Sequence, residues 1–458
     1  MSNGMLPRAA TALAAVILTA PACLAAQGGT QGGTQGPGQG AAAAPPGQAS
    51  RYESDVTAVM DSVIAWRRDI HQHPELGNRE LRTAKIVADR LRALGIEVRE
   101  HVAKTGVVGI LKGGKPGKTV ALRADMDALP VTEEVDVPFK STVKSTYAGQ
   151  TVGVMHACGH DSHTAMLLGA ATVLAKHRAD LPGTVVFLFQ PAEEGPPPGE
   201  TGGAADMVKA GALDNPKVDA VFGLHVWPDT AGRISYRPRG AMSASDVLSI
   251  VVRGRQTHGA VPWRGVDPIA VSSQIVGALQ TIVSRQTDLT AGPAVVSIGS
   301  INGGVRYNII PDSVVMAGTI RTFDADTRKA IHASVKRMAE QIAAASGATA
   351  KVTITLGAEM VYNDPALTAA MAPTIARTTG GHVNANGAWT PSEDFSEYTR
   401  NIPGLFVFLG VNAPGVTAEQ AAPNHSPLFY VNEAALPTGV RTLVSLATDY
   451  LAQASTIK

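Results

Sequence analysis

The chain has 458 residues, 45% of them apolar and 17% charged, with a formal net charge of +1. That length is enough for two domains, and the composition is ordinary for a folded protein of this size. A near-zero charge with no run of lysine or arginine excludes a nucleic-acid or other polyanionic partner as the expected one.

The opening residues 1–26, MSNGMLPRAATALAAVILTAPACLAA, carry one basic residue, Arg8, and a short apolar stretch ending in small residues. The stretch is too short to span a bilayer and its end suits cleavage. Residues 1–26 therefore read as an export signal, with no membrane segment left after its removal. Cys23, behind Pro21 and Ala22, matches a lipoprotein signal poorly. Residues 27–50, QGGTQGGTQGPGQGAAAAPPGQAS, hold almost nothing to bury and read as a tether. The expected location is periplasmic or secreted. Of the two cysteines, Cys23 leaves with the signal and Cys158 keeps no partner, which argues against a disulfide.

From Arg51 onward the pattern is that of a folded chain. Spaced apolar residues predict two helices over 54–94, separated by HPELGNRE. Strands are predicted at 106–111, 119–123, 184–189, 218–226 and 405–410, alternating with helical stretches. Over 161–178, Met166, Leu167, Ala170, Val173 and Leu174 recur at helical spacing, with Asp161 placed to cap the start. This alternation predicts an α/β domain with a central, mostly parallel sheet covered on both faces. Between 241 and 351 the pattern changes. DVLSIVVRG, AVVSIGSING and SVVMAGTIRTF read as strands and 267–285 and 325–346 as helices, a smaller α+β, βαββαβ-like insert with its own core. The larger domain is then discontinuous, over 51–240 and 352–458.

Several predicted strands end in chemically competent residues. TVALRADMDALP ends in Asp125 and Asp127, TVVFLFQPAEEG in Glu193 and Glu194, and AVFGLHVWP in His225; the loop after GLFVFLG reaches His425 in PNHSP. In open α/β sheets the functional crevice lies at such carboxyl ends. Singly, each has a plain structural explanation as a hydrogen-bonded histidine, a turn-capping aspartate or a solvated glutamate pair. Together with MHACGHDSH at 155–163, which holds Cys158, His160 and His163, they read as a metal site. Thiolate, imidazole and carboxylate ligands suit Zn²⁺ or a similar first-row dication. Adjacent Glu193 and Glu194 divide naturally, one binding metal and the other taking a proton from the attacking water. The competing reading makes Cys158 a nucleophile with His160 as its base. It leaves the carboxylates and the distant histidines unused.

RRDIHQHPELGNRE, LRADMDALP, MHACGHDSH, FQPAEEG, FGLHVWP, NGGVRYNIIPDSV, SEDFSEY and NHSPLFYVNEAAL occur in that order. They resemble the aminoacylase/carboxypeptidase superfamily of binuclear metallo-amidohydrolases, within it the hippurate hydrolase and indole-acetyl-amino-acid hydrolase branch, from about residue 54 to the C-terminus. The resemblance implies two divalent ions, zinc or manganese, held by Cys158, His160, Glu194, His225 and His425, with Glu193 as general base. Asp125 and Asp127 stand where the superfamily has His-x-Asp, which implies support of the metals or the base. His163 is implied behind the ligands or on the substrate side. The insert is implied to act as a lid and to form a homodimer, bringing His258 to the active site of the same or the partner chain. Asn308 and Arg321 become candidates for holding a substrate carboxylate. Two features depart from the family: Trp263 stands where a histidine is common, and GPPPGETGG after Glu194 is longer than the shortest loops of the type. The expected activity is metal-dependent hydrolysis of N-acyl amino acids. A dipeptidase or carboxypeptidase on the same scaffold, and a non-catalytic solute-binding relative, are the alternatives.

Overall fold

Two kinds of strand pattern distinguish the two larger sheets of the described residues. This computed structural model describes residues 51–456, so the export signal read over 1–26 and the tether over 27–50 lie outside the described residues. Helices α1 (Glu53–Gln72) and α2 (Leu81–Ala93) lead into strands β1 (Glu97–Val102), β2 (Gly106–Lys112) and β3 (Lys115–Asp125). After α3 (His160–Lys176) come β4 (Pro182–Gln190), α4 (Gly203–Lys209), β5 (Ala220–Trp227), β6 (Ile234–Ser235) and β7 (Arg239–Met242). The chain then builds β8 (Ala244–Arg253), β9 (Thr257–His258), α5 (Pro268–Thr281), β10 (Ala294–Gly303), β11 (Ile309–Ile310), β12 (Ser313–Thr322), α6 (Ala325–Ala345) and β13 (Thr349–Leu356). It closes with β14 (Val361–Asn363), α7 (Pro365–Thr378), β15 (Val383–Asn384), β16 (Gly404–Gly410) and α8 (Leu436–Thr456).

Strands β2, β4, β5 and β16 are near-continuous apolar runs buried on both faces, as strands inside a helix-covered sheet must be. They form an eight-stranded sheet in the order β1-β2-β4-β3-β5-β16-β6-β15. The run β4-β3-β5-β16 is parallel, so the carboxyl ends of these four strands lie along one edge. The α/β class and the mostly parallel sheet read from the sequence are both present. One face carries α1, α3 and α8; the other carries an aromatic layer that includes Phe395, Phe406 and Phe408.

Strand β8 instead alternates buried and open positions, the mark of a sheet covered on one face only. It sits in a four-stranded antiparallel sheet, β10-β12-β8-β13, with α5 and α6 packed on Leu248, Ile250, Val252, Met316 and Ile320. The expected βαββαβ order is therefore seen, with one correction. β13 pairs Leu356 with Asp246 and so stays in this sheet, which carries the insert to 356 rather than 351. Among the described residues no helix is long and apolar enough to cross a membrane.

Asp161 does not cap α3. The cap position is Gly159, at φ 89, with no side-chain cap bond. Asp161 is drawn inward instead, where Arg67 Nε donates to its Oδ2 at 2.7 Å and His71 Nδ1 lies 3.0 Å away. α3, which begins with His160, is pressed onto its neighbours at Gly169. A Cβ there would lie 2.7 Å from Val63 Cγ2 and 3.2 Å from Val440 Cγ2. Glycine inside a helix is otherwise unfavourable, so close packing explains it. Gly169→Val should cost about 1–3 kcal/mol of stability by overpacking, read as a lower urea midpoint. An unchanged midpoint would show that α3 can move away freely.

Candidate metal centre and catalytic site

The carboxyl ends of β3, β4 and β5, with the start of α3 and the loop after β16, converge on one cluster. Its foundation is Arg123, which lies two residues before Asp125 on β3 and is fully buried. Arg123 Nε donates to Gln190 at 2.8 Å, and its two Nη atoms donate to Asp125 Oδ2 at 2.6 Å, Glu393 Oε1 at 2.8 Å and Asp394 Oδ1 at 3.0 Å. Burial by itself works against a guanidinium charge; these carboxylates outweigh it and hold Arg123 well above its ordinary range.

Asp125 and Asp127 support rather than compete. Asp125 Oδ1 lies 2.6 Å from His163 Nδ1, and His163 Nε2 accepts the Val226 N–H at 2.8 Å. Because that amide can only donate, the His163 proton sits on Nδ1 and points at Asp125. Both ring nitrogens are used, so His163 does not face substrate; it braces Asp125 against β5. Asp127 Oδ2 accepts the Glu194 N–H at 3.0 Å, and its Oδ1 lies 3.3 Å from His160 Nδ1.

That leaves His160 Nε2 buried with no hydrogen-bond partner. It lies 3.8 Å from Asp125 Oδ2, 3.9 Å from Glu193 Oε2 and 3.9 Å from Glu194 Oε1. A buried imidazole nitrogen facing three carboxylates across such gaps has room for a cation between them. His225 is similarly prepared. Its Nδ1 donates to Val226 O at 2.6 Å, so the lone pair of Nε2 faces Cys158 Sγ at 3.4 Å. Gly159 permits this approach, because a Cβ there would lie 2.3 Å from Val226 Cγ2. His425, at φ 70, donates its backbone N–H to Ala157 O at 2.8 Å, and its Nε2 lies 3.0 Å from Glu194 Oε1.

The donor atoms fall into overlapping groups whose members lie within 4.8 Å of one another: Cys158, His160 and His225; Cys158, Glu194 and His425; His160, Glu193 and Glu194. Sharing of Cys158, His160 and Glu194 between groups fits two neighbouring ions. Charge fits as well. Asp125, Asp127, Glu193, Glu194, Glu393 and Asp394 gather around one guanidinium. Burial, with Glu393, Glu194 and Asp394 nearby, pushes Glu193 well up, and burial with Glu194, Glu193 and Asp125 does the same to the Cys158 thiol. A nucleophilic thiol needs electropositive surroundings; Cys158 has carboxylates. The nucleophile reading has no support in this geometry.

The turn that presents Glu193 and Glu194 has its own anchor, which the sequence reading missed. Ala192 sits at φ 50 in the left-handed region, and its N–H donates to Glu80 Oε1 at 2.8 Å. Thr105 Oγ1 donates to Glu80 Oε2 at 2.5 Å. Glu80 is fully buried, and burial together with the Asp127 charge raises its pKa to about 7. Arg123 and Glu393 were missed too. A charge inside the apolar strand TVALRAD was the available signal for Arg123; Glu393 gave none beyond its place in SEDFSEY.

The insert residues do not join this cluster within one chain. His258 is exposed, and its Nδ1 accepts the Ala260 N–H at 3.0 Å. Asn308 is its neighbour, accepting the Gly259 N–H at 2.8 Å, with Oδ1 buried and unpartnered. Arg321 lies elsewhere. It pairs with Ser245 and Val295 near the end of β12, while Asn308 lies beyond the opposite end, which starts at Ser313. The eight residue steps from 313 to 321 span roughly 27 Å of strand. Arg321 and Asn308 therefore cannot grip one carboxylate in the same chain. Trp263 is 76% exposed and contributes nothing to the cluster.

Residues 121–449 match the model of peptidase family M20/M25/M40. The chain belongs to this family. It is 41% identical to thermostable carboxypeptidase 2 of Saccharolobus solfataricus, over 87% of this chain and 98% of that one. It is 38% identical to an N-acetylcysteine deacetylase of Bacillus subtilis, over 85% and 97%, and 39% identical to an IAA-amino acid hydrolase of Arabidopsis thaliana, over 86% and 86%. Among solved structures, a dinuclear metal-binding peptidase of the M20 family from Bacillus subtilis superposes with a TM-score of 0.73 at 36% identity, covering 86% of this chain and 99% of that one. The protein is thus a metal-dependent hydrolase of the M20 family.

In this M20 enzyme Glu80 acts through Ala192 as a positioning residue. Glu80→Ala should lower kcat by about tenfold, the equivalent of one lost buried hydrogen bond, with KM little changed. Glu80→Gln keeps an acceptor for the Ala192 N–H and should retain most of the activity. Steady-state kinetics on both variants decide the matter, and equal losses in the two would show that charge, not the hydrogen bond, is what counts.

Proposed function

We propose that the protein is an exported binuclear metallo-amidohydrolase that cleaves N-acyl amino acids. The observation that carries this reading is the unequal setting of two adjacent glutamates. Glu194 faces Cys158 and His425, as a ligand would, whereas Glu193 faces Asp125 and Glu393, with His160 Nε2 at 3.9 Å from both glutamates of the pair. Cys158, His160, Glu194, His225 and His425 would hold two ions, zinc or manganese. When bound, the ions supply Lewis-acid polarisation of the amide carbonyl and acidify the attacking water. Glu193 takes the proton of that water and passes it to the departing amine. Asp127 holds His160 and the Glu194 backbone in place during both steps. Two relatives support the substrate class, being named for N-acetylcysteine and for an IAA-amino acid.

A homodimer through the insert would bring the tip that carries His258 and Asn308 over the partner's cleft, where both could help hold the reacting amide. Arg321, at the end of the insert nearest β7, is then the cation for the substrate carboxylate. A carboxypeptidase activity is the second reading, favoured by the name of the 41% identical Saccharolobus relative.

A turnover screen of acetyl-, benzoyl- and indole-acetyl-amino acids against dipeptides separates the two readings; turnover of dipeptides alone would overturn the first. Glu193→Gln should cut kcat by roughly 10²–10⁴-fold with metal retained. Glu194→Gln and Cys158→Ser should instead lower metal content by elemental analysis, since each weakens a charged ligand. Normal turnover in Glu193→Gln would remove it as the base. Amidating the substrate carboxylate should cost about 10–100-fold in kcat/KM, and that penalty should shrink in Arg321→Ala. Export predicts a mature N-terminus near residue 27 in protein isolated from its native host, and retention of Met1 would exclude it.

A further inference from the structure

The HPELGNRE segment between α1 and α2 enters the chemistry above only through Glu80. Yet four consecutive residues of it lie against the loop 192–202, which carries Glu193 and Glu194. Gly77 packs on Gly195, where a Cβ would lie 2.9 Å from the carbonyl oxygen. Asn78 Nδ2 donates to Thr201 O and to Glu200 Oε2, both at 3.0 Å. Arg79 Nη2 donates to Glu200 Oε1 at 2.5 Å, and Glu80 holds the Ala192 N–H. The two ends of the loop are joined as well. Asp394 Oδ2 accepts from Gln190 Nε2 at 2.9 Å and from the Ala204 N–H at 2.7 Å.

Glu200 gathers a further donor from β1 and β2. Lys104 Nζ donates to its Oε2 at 2.6 Å, and hydrogen bonds from Arg79, Lys104 and Asn78 hold the Glu200 carboxyl down to about 2. The turn from β1 into β2 bends sharply where that lysine is placed. His101, Ala103 and Lys104 stand at φ 59, 55 and 73, in the left-handed region that residues other than glycine seldom adopt. The next residue, Thr105, donates to Glu80. Backbone of this kind persists where surrounding contacts define it, and here both contacts lead to the loop 192–202. Between Glu194 and Glu200 the chain is stiff, because Pro196, Pro197 and Pro198 have a fixed φ. Glu200 donates its N–H to Pro197 O at 3.0 Å and so closes the turn over Gly199. Gly195, at φ 102, is left as the joint next to Glu194, and Gly77 packs against it. A shift at Glu200 is therefore passed along the prolines toward Glu194.

We infer that Glu200 is a positioning residue for the Glu193–Glu194 pair, and that Arg79 and Lys104 hold it in an ionic clasp. The inference rests on the roles proposed above for the two glutamates. The Arg79 and Lys104 side chains are about half exposed, so salt weakens the clasp. An exposed ion pair contributes little alone. The effect comes from several donors on one carboxylate at the end of a stiff strap.

The test follows kcat, KM, metal affinity by competitive chelation, and hydrogen exchange of the amides in 192–202 on the metal-loaded enzyme. Glu200→Ala should lower kcat by about three- to tenfold with KM changed by less than about twofold. Its metal dissociation constant should rise by a similar factor, because Glu194 is less firmly aimed, and exchange at 192–202 should quicken. Lys104→Glu alone sets two carboxylates together and should do at least as much harm. Combined with Glu200→Lys it restores an opposite-charge pair and should regain most of the loss. Raising salt from about 0.05 to about 0.5 M should bring the parent enzyme toward Glu200→Ala, which itself should respond less. Parent-like kcat, metal affinity and exchange in Glu200→Ala would overturn the inference. So would a loss that the charge exchange fails to recover, or a lower urea midpoint as the only change. Normal turnover in Glu193→Gln would instead remove the base assignment, while amide exchange and metal affinity would still decide the clasp.

Discussion

The buried guanidinium of Arg123 is the interaction on which the rest of the site depends. A charge in the middle of an apolar sheet is tolerated only when paired and fully hydrogen-bonded. Arg123 meets that condition by gathering Gln190 from β4, Asp125 from its own strand, and Glu393 and Asp394 from the segment before β16. Three pieces of chain far apart in sequence are thereby fixed at one edge of the sheet. The same grouping concentrates more negative charge than one guanidinium balances. The excess points toward His160 and Cys158, where divalent cations would answer it. The buried charge that makes the apo site electrostatically unfavourable is what would make it bind metal strongly.

Around that anchor the candidate ligands are aimed by neighbours that never touch a reacting atom. Asp127 reaches both His160 and the backbone of Glu194, so two ligands move as one. His163 locks Asp125 to β5 through the Val226 amide, and the Val226 carbonyl fixes the tautomer of His225. Glu80 holds Ala192 in its left-handed conformation and so sets where Glu193 points. Metal sites commonly rely on such outer partners to orient their ligands. Here the outer partners come from the residue that leads into α2, from β3 and the residues just after it, from α3 and from β5, which spreads the definition of the site over several elements.

The insert shows a different logic. Its sheet is covered by helices on one face only, and residues of functional interest stand at opposite ends of β12. Arg321 lies near the connection to the larger sheet, whereas His258 and Asn308 stand at the far tip with an unpartnered Asn308 oxygen. Because the two sets of residues stand at opposite ends of one strand, the proposed function assigns the far tip to a second copy of the chain.

The sequence by itself determined the elements and the chemistry. Apolar runs alternating with helical stretches marked the covered sheet, a change of pattern between 241 and 351 marked the insert, and acidic, thiol and imidazole residues at strand ends marked a metal centre. Those signals are local, arising from burial of a strand face or from ligand type at a strand terminus. What tertiary structure decided were the partnerships. Asp161 looked like a helix cap because capping is a local rule, but Arg67 and His71, on another helix, claimed it. His163 looked free to meet substrate until Asp125 and Val226 occupied both of its nitrogens. Arg321 and Asn308 looked like neighbours in one insert until most of a ten-residue antiparallel strand set them apart. Arg123, Glu393 and Glu80 acquire their roles only where distant segments meet. Residue type and spacing carry no record of which buried charge will face which, because that is settled by how the sheet edge closes.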